Sequence, residues 1–143
     1  MSELYKIDKT TETMYRLFIK KIEQSEGIWE QIYAYFNIGV WYSQKTYYDK
    51  ANKAFTYALE MLDSHKKNIK ESMVFKADCN YNIALGYWAQ HDRVKALEHM
   101  QEAYRERTNS IGKNSMEASN CLMKLAIWYK EAEKWGECLQ YLD

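Results

Sequence analysis

The side chains that most often carry chemistry in proteins are sparse in this sequence of 143 residues. Its three cysteines and three histidines form neither a C-x-x-C pair nor an H-E-x-x-H pair, which are common spacings of metal ligands. They are Cys79, Cys121, Cys138, His65, His91 and His99. The sequence also lacks a G-x-S-x-G motif and a phosphate-binding loop. We therefore predict a binding protein rather than an enzyme, without a metal or another cofactor.

Two amides lie inside apolar, aromatic runs, where an aliphatic residue would be more usual. Asn37 belongs to YFNIGVWY, residues 35–42, and Asn82 belongs to YNIALGYW, residues 81–88. An asparagine side chain offers two donors and an acceptor, so amides spaced along a surface can bond the main chain of an extended peptide. A purely structural role, in which each amide bonds a carbonyl of its own protein, is the alternative.

The composition favours an all-α protein with short connections. The sequence has no proline and five glycines, whereas strand-rich folds need frequent turn residues. Lys plus Arg number 20 and Asp plus Glu number 20, a balance that argues against direct binding of nucleic acid. No apolar run is long enough to span a membrane. The first residues, MSELYKIDKTTETMY, do not resemble a secretory signal, so we predict a cytoplasmic location.

One pattern of residue types occurs three times along the chain. An aliphatic residue, a small residue and a tyrosine are followed by a second group of small and large apolar residues. The three sets are Ile38, Gly39, Tyr42, Ala51, Phe55 and Ala58; Ile83, Ala84, Tyr87, Ala96, Met100 and Ala103; and Leu125, Ala126, Tyr129, Cys138 and Leu142. The tyrosine and the next small residue are nine residues apart each time, from 42 to 51, 87 to 96 and 129 to 138. This spacing predicts helix pairs that approach closely at the small residues.

The pattern resembles the tetratricopeptide repeat, W-x2-L-G-x2-Y followed by A-x3-F, over about residues 30–143. The repeats here are longer than the usual form, and residues 103–135 are similar to the long repeats of kinesin light chains. The matching residues are Arg105, Glu106, Ile111, Gly112, Lys113, Ala118, Leu125, Ala126 and Tyr129. Bacterial peptide-sensing regulators of the Rap and PlcR kind have similar long repeats. The resemblance implies antiparallel helical hairpins stacked in a right-handed superhelix, an α-solenoid.

The predicted helices follow from the repeat. We expect a leading helix over about residues 10–25 and further helices over 28–45, 48–67, 71–90, 93–109, 115–132 and 134–143. Residues 1–27 then form an N-terminal capping segment, and residues 28–143 form repeats over 28–70, 71–114 and a truncated 115–143. Because the last helix would expose Leu139 and Leu142, we expect the sequence to be part of a longer protein or to self-associate through this end.

Other residues are predicted to have packing, surface or turn roles. Cys79 and Cys121 occupy the repeat position of Ala34, which indicates small buried residues rather than reactive thiols. The mixed charges of YRERTN, residues 104–109, are typical of a solvated face. Gly112 predicts a turn, and Ser115 after it predicts the start of a helix.

In tetratricopeptide arrays the first helix of each hairpin lines a concave groove, so the resemblance implies a peptide-binding groove here. Its expected lining is a stripe of aromatic, aliphatic and amide side chains, about 100° around each helix from the packing stripe. The stripe comprises Tyr33, Phe36, Asn37, Val40, Asp78, Tyr81, Asn82, Leu85, Trp88, Met123, Lys124 and Ile127. Asn37 and Asn82 would bond the main chain of a peptide. Lys124, at the third equivalent position, would either meet a carboxylate or remain a solvated side chain.

Three functions fit this prediction. The leading interpretation is a protein- or peptide-binding module with a scaffold or adaptor role. The second is the sensor domain of a bacterial peptide-responsive regulator, in which a signalling peptide resets the superhelix. The third is a structural or oligomerisation segment, in which the leading helix lies in the groove instead of capping the first hairpin.

Overall fold

The computed structural model describes residues 9–24, 27–65 and 69–134, and these residues contain six α-helices and no β-strand. The helices are α1 (Lys9–Gln24), α2 (Ile28–Gln44), α3 (Tyr48–Ser64), α4 (Ile69–Ala89), α5 (Arg93–Ile111) and α6 (Met116–Lys134). The first and last residues of each helix lie within three residues of those predicted from the sequence. The all-α fold class is confirmed. The helix predicted over 134–143 lies, beyond Lys134, outside the described residues, as do Cys138, Leu139 and Leu142.

The chain forms two compact units. The first comprises residues 1–65 and the second residues 66–143. In the first unit α2 packs against α3, and α1 packs against α2. In the second unit α4 packs against α5, and α5 packs against α6. Each unit therefore contains one complete antiparallel hairpin, α2–α3 or α4–α5, with a further helix beside it.

The two hairpins use the same turn, although neither turn contains glycine. Thr46 and His91 both have φ of 66°, the left-handed region in which a helix usually ends on glycine. The amide of Tyr47 donates to the Tyr42 carbonyl over 2.9 Å, and the amide of Asp92 donates to the Tyr87 carbonyl over 2.9 Å. These bonds, each spanning five residues, belong to the Schellman motif that closes a helix end. The turn geometry thus repeats every 45 residues, like the sequence pattern.

Capping residues set the starts of the last two helices. The Asp92 carboxylate accepts a hydrogen bond from the Lys95 amide over 3.2 Å, which satisfies one of the free donors at the start of α5. The Ser115 hydroxyl accepts one from the Ala118 amide over 3.1 Å before α6. Gly112, with φ of 100°, forms the turn between these helices. The predicted turn and the predicted helix start at Ser115 are confirmed.

The small residues of the repeat are where the helices approach most closely. In the first unit a Cβ added to Gly39 would lie 2.5 Å from Cε1 of Phe55, so only hydrogen fits there. In the second unit the core is built around buried small residues and large apolar ones; it comprises Ala84, Ala96, Leu97, Met100, Ala103, Cys121, Leu125, Trp128 and Ala132. The predicted close approach is therefore confirmed at Gly39, and the small residues of the second unit are buried as predicted.

Cys79 and Cys121 are free thiols buried in the second unit, which confirms their predicted packing role. Burial raises the pKa of both thiols, so neither forms the reactive thiolate near neutral pH. Ala34, their counterpart in the first unit, is buried as well. The third small residue of the repeat, Ala126, is exposed instead, and the helix predicted to cover it lies outside the described residues.

Enlarging a small core residue in α4 is expected to destabilise the protein. Ala84 is fully buried within the core of the second unit, so Ala84→Leu should lower the free energy of unfolding by about 1–3 kcal/mol through overpacking. Urea denaturation measures this change. Ala89→Leu, at an exposed position of the same helix, is the control and should shift it by less than about 0.5 kcal/mol. Equal denaturation midpoints for Ala84→Leu and the unmodified chain would contradict the register.

Candidate binding surfaces

The predicted binding residues of the first unit all lie on α2, with different degrees of burial. Asn37 is exposed, which explains why an amide is tolerated in an otherwise apolar run. Tyr33 is exposed and packs its ring against Trp29, with centroids 5.7 Å apart. Phe36 and Val40 are half-buried, and the ring of Phe36 lies 5.5 Å from that of the core residue Phe55. Only Tyr33 and Asn37 therefore offer a wide surface to a partner.

The leading helix lies beside two of these residues. A cavity of about 450 Å³ between α1 and α2 is lined by Phe18 and Lys21 from α1 and by Tyr33 and Asn37 from α2, among others. The leading helix was predicted either to cap the first hairpin or to lie in the groove. In the structure α1 packs along α2 and borders the predicted binding residues without covering Asn37.

In the second unit, part of the predicted stripe on α4 is occupied by contacts within the protein. Trp88 stacks on Trp128 of α6, with centroids 4.7 Å apart and ring planes 3° from parallel. Tyr81 and Leu85 also pack against the core of this unit. Asn82 is half-buried, and its amide nitrogen donates to the Asp78 carbonyl over 2.8 Å. This bond uses one N–H of the amide group.

The predicted residues of α6 form an exposed apolar face. Met123 is 62% exposed and Ile127 is 51% exposed. They are four residues apart and therefore adjacent on one side of the helix, opposite the buried side that carries Cys121 and Trp128. Lys124 is half-buried beside them. The structure thus brings Met123, Lys124 and Ile127 together on α6, while Tyr81, Leu85 and Trp88 pack against the core of the second unit.

Arg107, which was predicted to lie on the surface, links the three helices of the second unit through hydrogen bonds. Arg107 is only 8% exposed. Its Nη1 donates to the carbonyl of Glu117 over 3.0 Å and to Sγ of Cys121 over 3.2 Å, and its Nη2 donates to Oδ1 of Asp78 over 3.2 Å. The guanidinium also lies 4.5 Å from the centre of the Tyr81 ring. Asp78 and Tyr81, predicted to line the groove, are therefore partners of Arg107.

A second polar cluster in this unit links α4 to α5. The amide nitrogen of Asn80 donates to Oε1 of Glu106 over 2.7 Å, and the Asn80 oxygen lies 3.0 Å from Nδ1 of His99. Because that oxygen can only accept, His99 carries its proton on Nδ1. The His99 ring stacks on Tyr87, with centroids 5.5 Å apart. Burial raises the pKa of Glu106 and lowers that of His99, so burial opposes ionisation of both groups.

The prediction that YRERTN lies on the surface is thus wrong for its two central residues. Glu106 is 6% exposed and Arg107 is 8% exposed, because α5 is packed between α4 and α6 and both charges find partners there. For the second polar cluster, a comparison of equivalent repeat positions in the sequence does contain a signal. Asn80, His99 and Glu106 stand 45 residues after Tyr35, Ala54 and Met61, so three polar residues replace apolar or aromatic ones at once.

Among the described residues no group of three or more His, Cys, Asp and Glu side chains is placed to hold a metal ion. His99 contacts the amide oxygen of Asn80 and the ring of Tyr87. None of the helices in the described part of the chain has the length and apolar character needed to cross a lipid bilayer.

The fold described above is that of a helical repeat protein of the tetratricopeptide type. The solved structure of BtubC (BKLC) from P. vanneervenii, a kinesin light chain-like protein of this type, is similar to it with a TM-score of 0.72. The similarity covers 86% of this chain and 49% of that chain at 14% sequence identity, so this chain spans about half the length of BtubC. No protein-family model matches the sequence, and no curated protein is similar to it. The predicted resemblance to tetratricopeptide repeats is confirmed at the level of the fold.

Proposed function

We propose that this chain is a protein-interaction module that binds a peptide or a partner protein through the first helices of its hairpins. The observation that carries the proposal is the exposed face of α6, where Met123 and Ile127 lie side by side with Lys124 at their edge. A contiguous exposed apolar surface with a polar edge is typical of an interaction site. The proposed role is that of a scaffold or adaptor in the cytoplasm, without catalysis and without direct binding of nucleic acid.

The chemistry of this face indicates the kind of partner. Met123 and Ile127 suit apolar side chains, and methionine adapts its shape to different partners. Lys124 suits a carboxylate, either of an acidic residue or of a chain terminus. The partner that fits best is therefore a peptide segment that combines aliphatic residues with an acidic group.

Asn37 and Asn82 are each proposed to bond the main chain of such a partner. Asn37 is exposed on α2, and Asn82 keeps one N–H and its oxygen after the bond to the Asp78 carbonyl. Each hydrogen bond to a neutral group contributes about 0.5–1.5 kcal/mol net. An amide that bonds the peptide main chain therefore contributes roughly twofold to tenfold in affinity on its own unit.

The test is a selection of short random peptides against the full chain, followed by binding isotherms with the peptides selected. We expect aliphatic and acidic residues to be enriched. The single variants Asn37→Ala and Asn82→Ala should each bind about two to ten times more weakly. Asn37→Ala should leave the melting temperature nearly unchanged because Asn37 is exposed, whereas Asn82→Ala should lower it slightly because this half-buried side chain bonds the Asp78 carbonyl. Asn114→Ala, in the exposed turn before α6, is the matched control and should leave affinity unchanged.

Two other outcomes would contradict this proposal. A large fall in melting temperature with unchanged affinity would assign the amides a structural role. Selection of no peptide, together with a dimer in solution that Met123→Gln converts to a monomer, would favour the oligomerisation role. That role draws on the same exposed face and on Leu122, which is also exposed on α6.

A further inference from the structure

The first unit contains a cleft that is separate from the proposed peptide-binding residues. Its volume is about 740 Å³, and it is an open cleft lined by residues of α1, α2 and α3. Cavities of roughly 300–1,000 Å³ are the size that holds small organic ligands. It is lined by Tyr35, Ile38 and Tyr42 of α2, which were predicted to have only a packing role. Tyr33 and Asn37 line a different cavity and lie on another side of the helix.

Four tyrosines from three helices form most of the apolar wall. Tyr35 of α2 and Tyr57 of α3 have ring centroids 4.5 Å apart, and Tyr15 of α1 and Tyr42 of α2 have centroids 6.1 Å apart. Burial raises the pKa of Tyr35 and Tyr42, which keeps both phenols neutral at physiological pH. Such walls offer flat aromatic faces for stacking together with hydroxyl groups for hydrogen bonds.

The charge at the cleft is positive. Lys50 and Lys53 line it from α3, and they are three residues apart and therefore on one side of the helix. Within the described residues neither lysine forms an ion pair. On the opposite side Arg16 donates to the carboxylate of Glu12 over 2.6 Å, so that pair is already neutralised. Two lysine ammonium groups thus remain next to an aromatic wall.

We propose that this cleft binds a small anionic aromatic molecule, with its ring system against the tyrosines and its acid group at Lys50 and Lys53. The cleft differs from the α6 face in what it can hold. Helices line it on three sides, and four of its lining residues are tyrosines, so it offers aromatic faces against which a flat ring system stacks. The two lysines select an anion over a neutral molecule of the same shape.

The probes are 2-naphthoate and its neutral counterpart 2-naphthalenemethanol, titrated into the full chain by calorimetry and by ligand-observed nuclear magnetic resonance. We expect one site that prefers the naphthoate. Because the lysines are exposed and their charge is screened, the preference should be about threefold to tenfold. The double variant Lys50→Gln, Lys53→Gln should remove this preference and leave binding of the alcohol unchanged.

Two variants and one control locate the site. Tyr57→Ala should weaken binding of both probes; the side chain is 48% exposed, so the fold should survive its removal, and a melting curve checks that. The matched control Lys113→Gln, Lys130→Gln, at exposed positions of the second unit, should leave binding unchanged. Equal affinity for both probes, no binding of either probe, or loss of binding in Met123→Gln but not in Tyr57→Ala would overturn the proposal.

Discussion

Replacing Arg107 by methionine is expected to lower the free energy of unfolding by about 2–4 kcal/mol. A hydrogen bond to a charged group contributes about 1.5–3 kcal/mol, and the variant leaves the Glu117 carbonyl without this donor. The contact of the guanidinium with the Tyr81 ring adds about 0.5–1 kcal/mol. The ion pair with Asp78 adds little, because that carboxylate is well exposed to solvent.

The loss should be concentrated where α6 meets α4 and α5. Native-state hydrogen exchange should show faster exchange of the α6 amides in Arg107→Met, because this residue bonds directly to Glu117 and Cys121 of α6. Arg105→Met is the matched control. Arg105 is two residues away on the same helix, is exposed and pairs with Glu102 at the surface, so its replacement should leave the denaturation midpoint unchanged. Equal effects of the two substitutions would contradict the role assigned to Arg107.

The helices and the close contacts between them could be predicted from the sequence because both depend on local pattern. Gly39 and Ala84 are 45 residues apart, as are Ala51 and Ala96, and the structure buries all four between helices. Burial of an apolar residue on a helix follows from its neighbours three and four positions away, which the sequence displays directly. This is why the helix boundaries and the buried cysteines were also predicted.

The buried charges could not be predicted from local pattern. Arg105, Glu106 and Arg107 are consecutive charged residues, and nothing within YRERTN separates the exposed one from the two buried ones. What separates them is their partners, Asn80 and Asp78, which lie more than 25 residues earlier on another helix. Burial of a charge depends on such partners, because an unpaired charge is not stable in a core. The sequence pattern predicts which face of a helix is buried, but it does not predict which residue of another helix contacts a charge on that face.

The turns show a similar limit. A helix usually ends in the left-handed region on glycine, and no glycine marks the ends of α2 and α4. Thr46 and His91 adopt that conformation instead, because the two bonds of the Schellman motif and the packing of each hairpin hold them there. In the sequence, only Tyr42 and Tyr87 indicate that the two turns are 45 residues apart; their carbonyls accept the hydrogen bonds of the turns.

The candidate binding surface was predicted in part. The resemblance to tetratricopeptide repeats indicated which stripe of each first helix to consider, and Asn37, Met123 and Ile127 on that stripe are exposed. It did not indicate that Trp88 would stack on Trp128, since that contact depends on how α6 lies against α4. The tyrosine cleft was not anticipated either, because it depends on the position of α1, a helix outside the repeat pattern.

Gly39→Leu is expected to lower the free energy of unfolding by about 3 kcal/mol, the upper end of the usual range for overpacking. Even a Cβ at this position would lie 2.5–2.8 Å from three carbons of the Phe55 ring, which is fully buried and has no free space to enter. The helix propensity gained on replacing glycine, about 1 kcal/mol, is too small to offset this clash.

Phe55→Ala alone should cost about 3–5 kcal/mol by leaving a cavity. In that background Gly39→Leu should be close to neutral, because the new side chain occupies the space of the missing ring. Urea denaturation of the two single variants and the double variant measures the coupling, and Gly27→Ala, whose added Cβ would make only ordinary contacts with Glu30, is the control. Additive losses in the double variant would show that Gly39 is not fixed by its contact with Phe55.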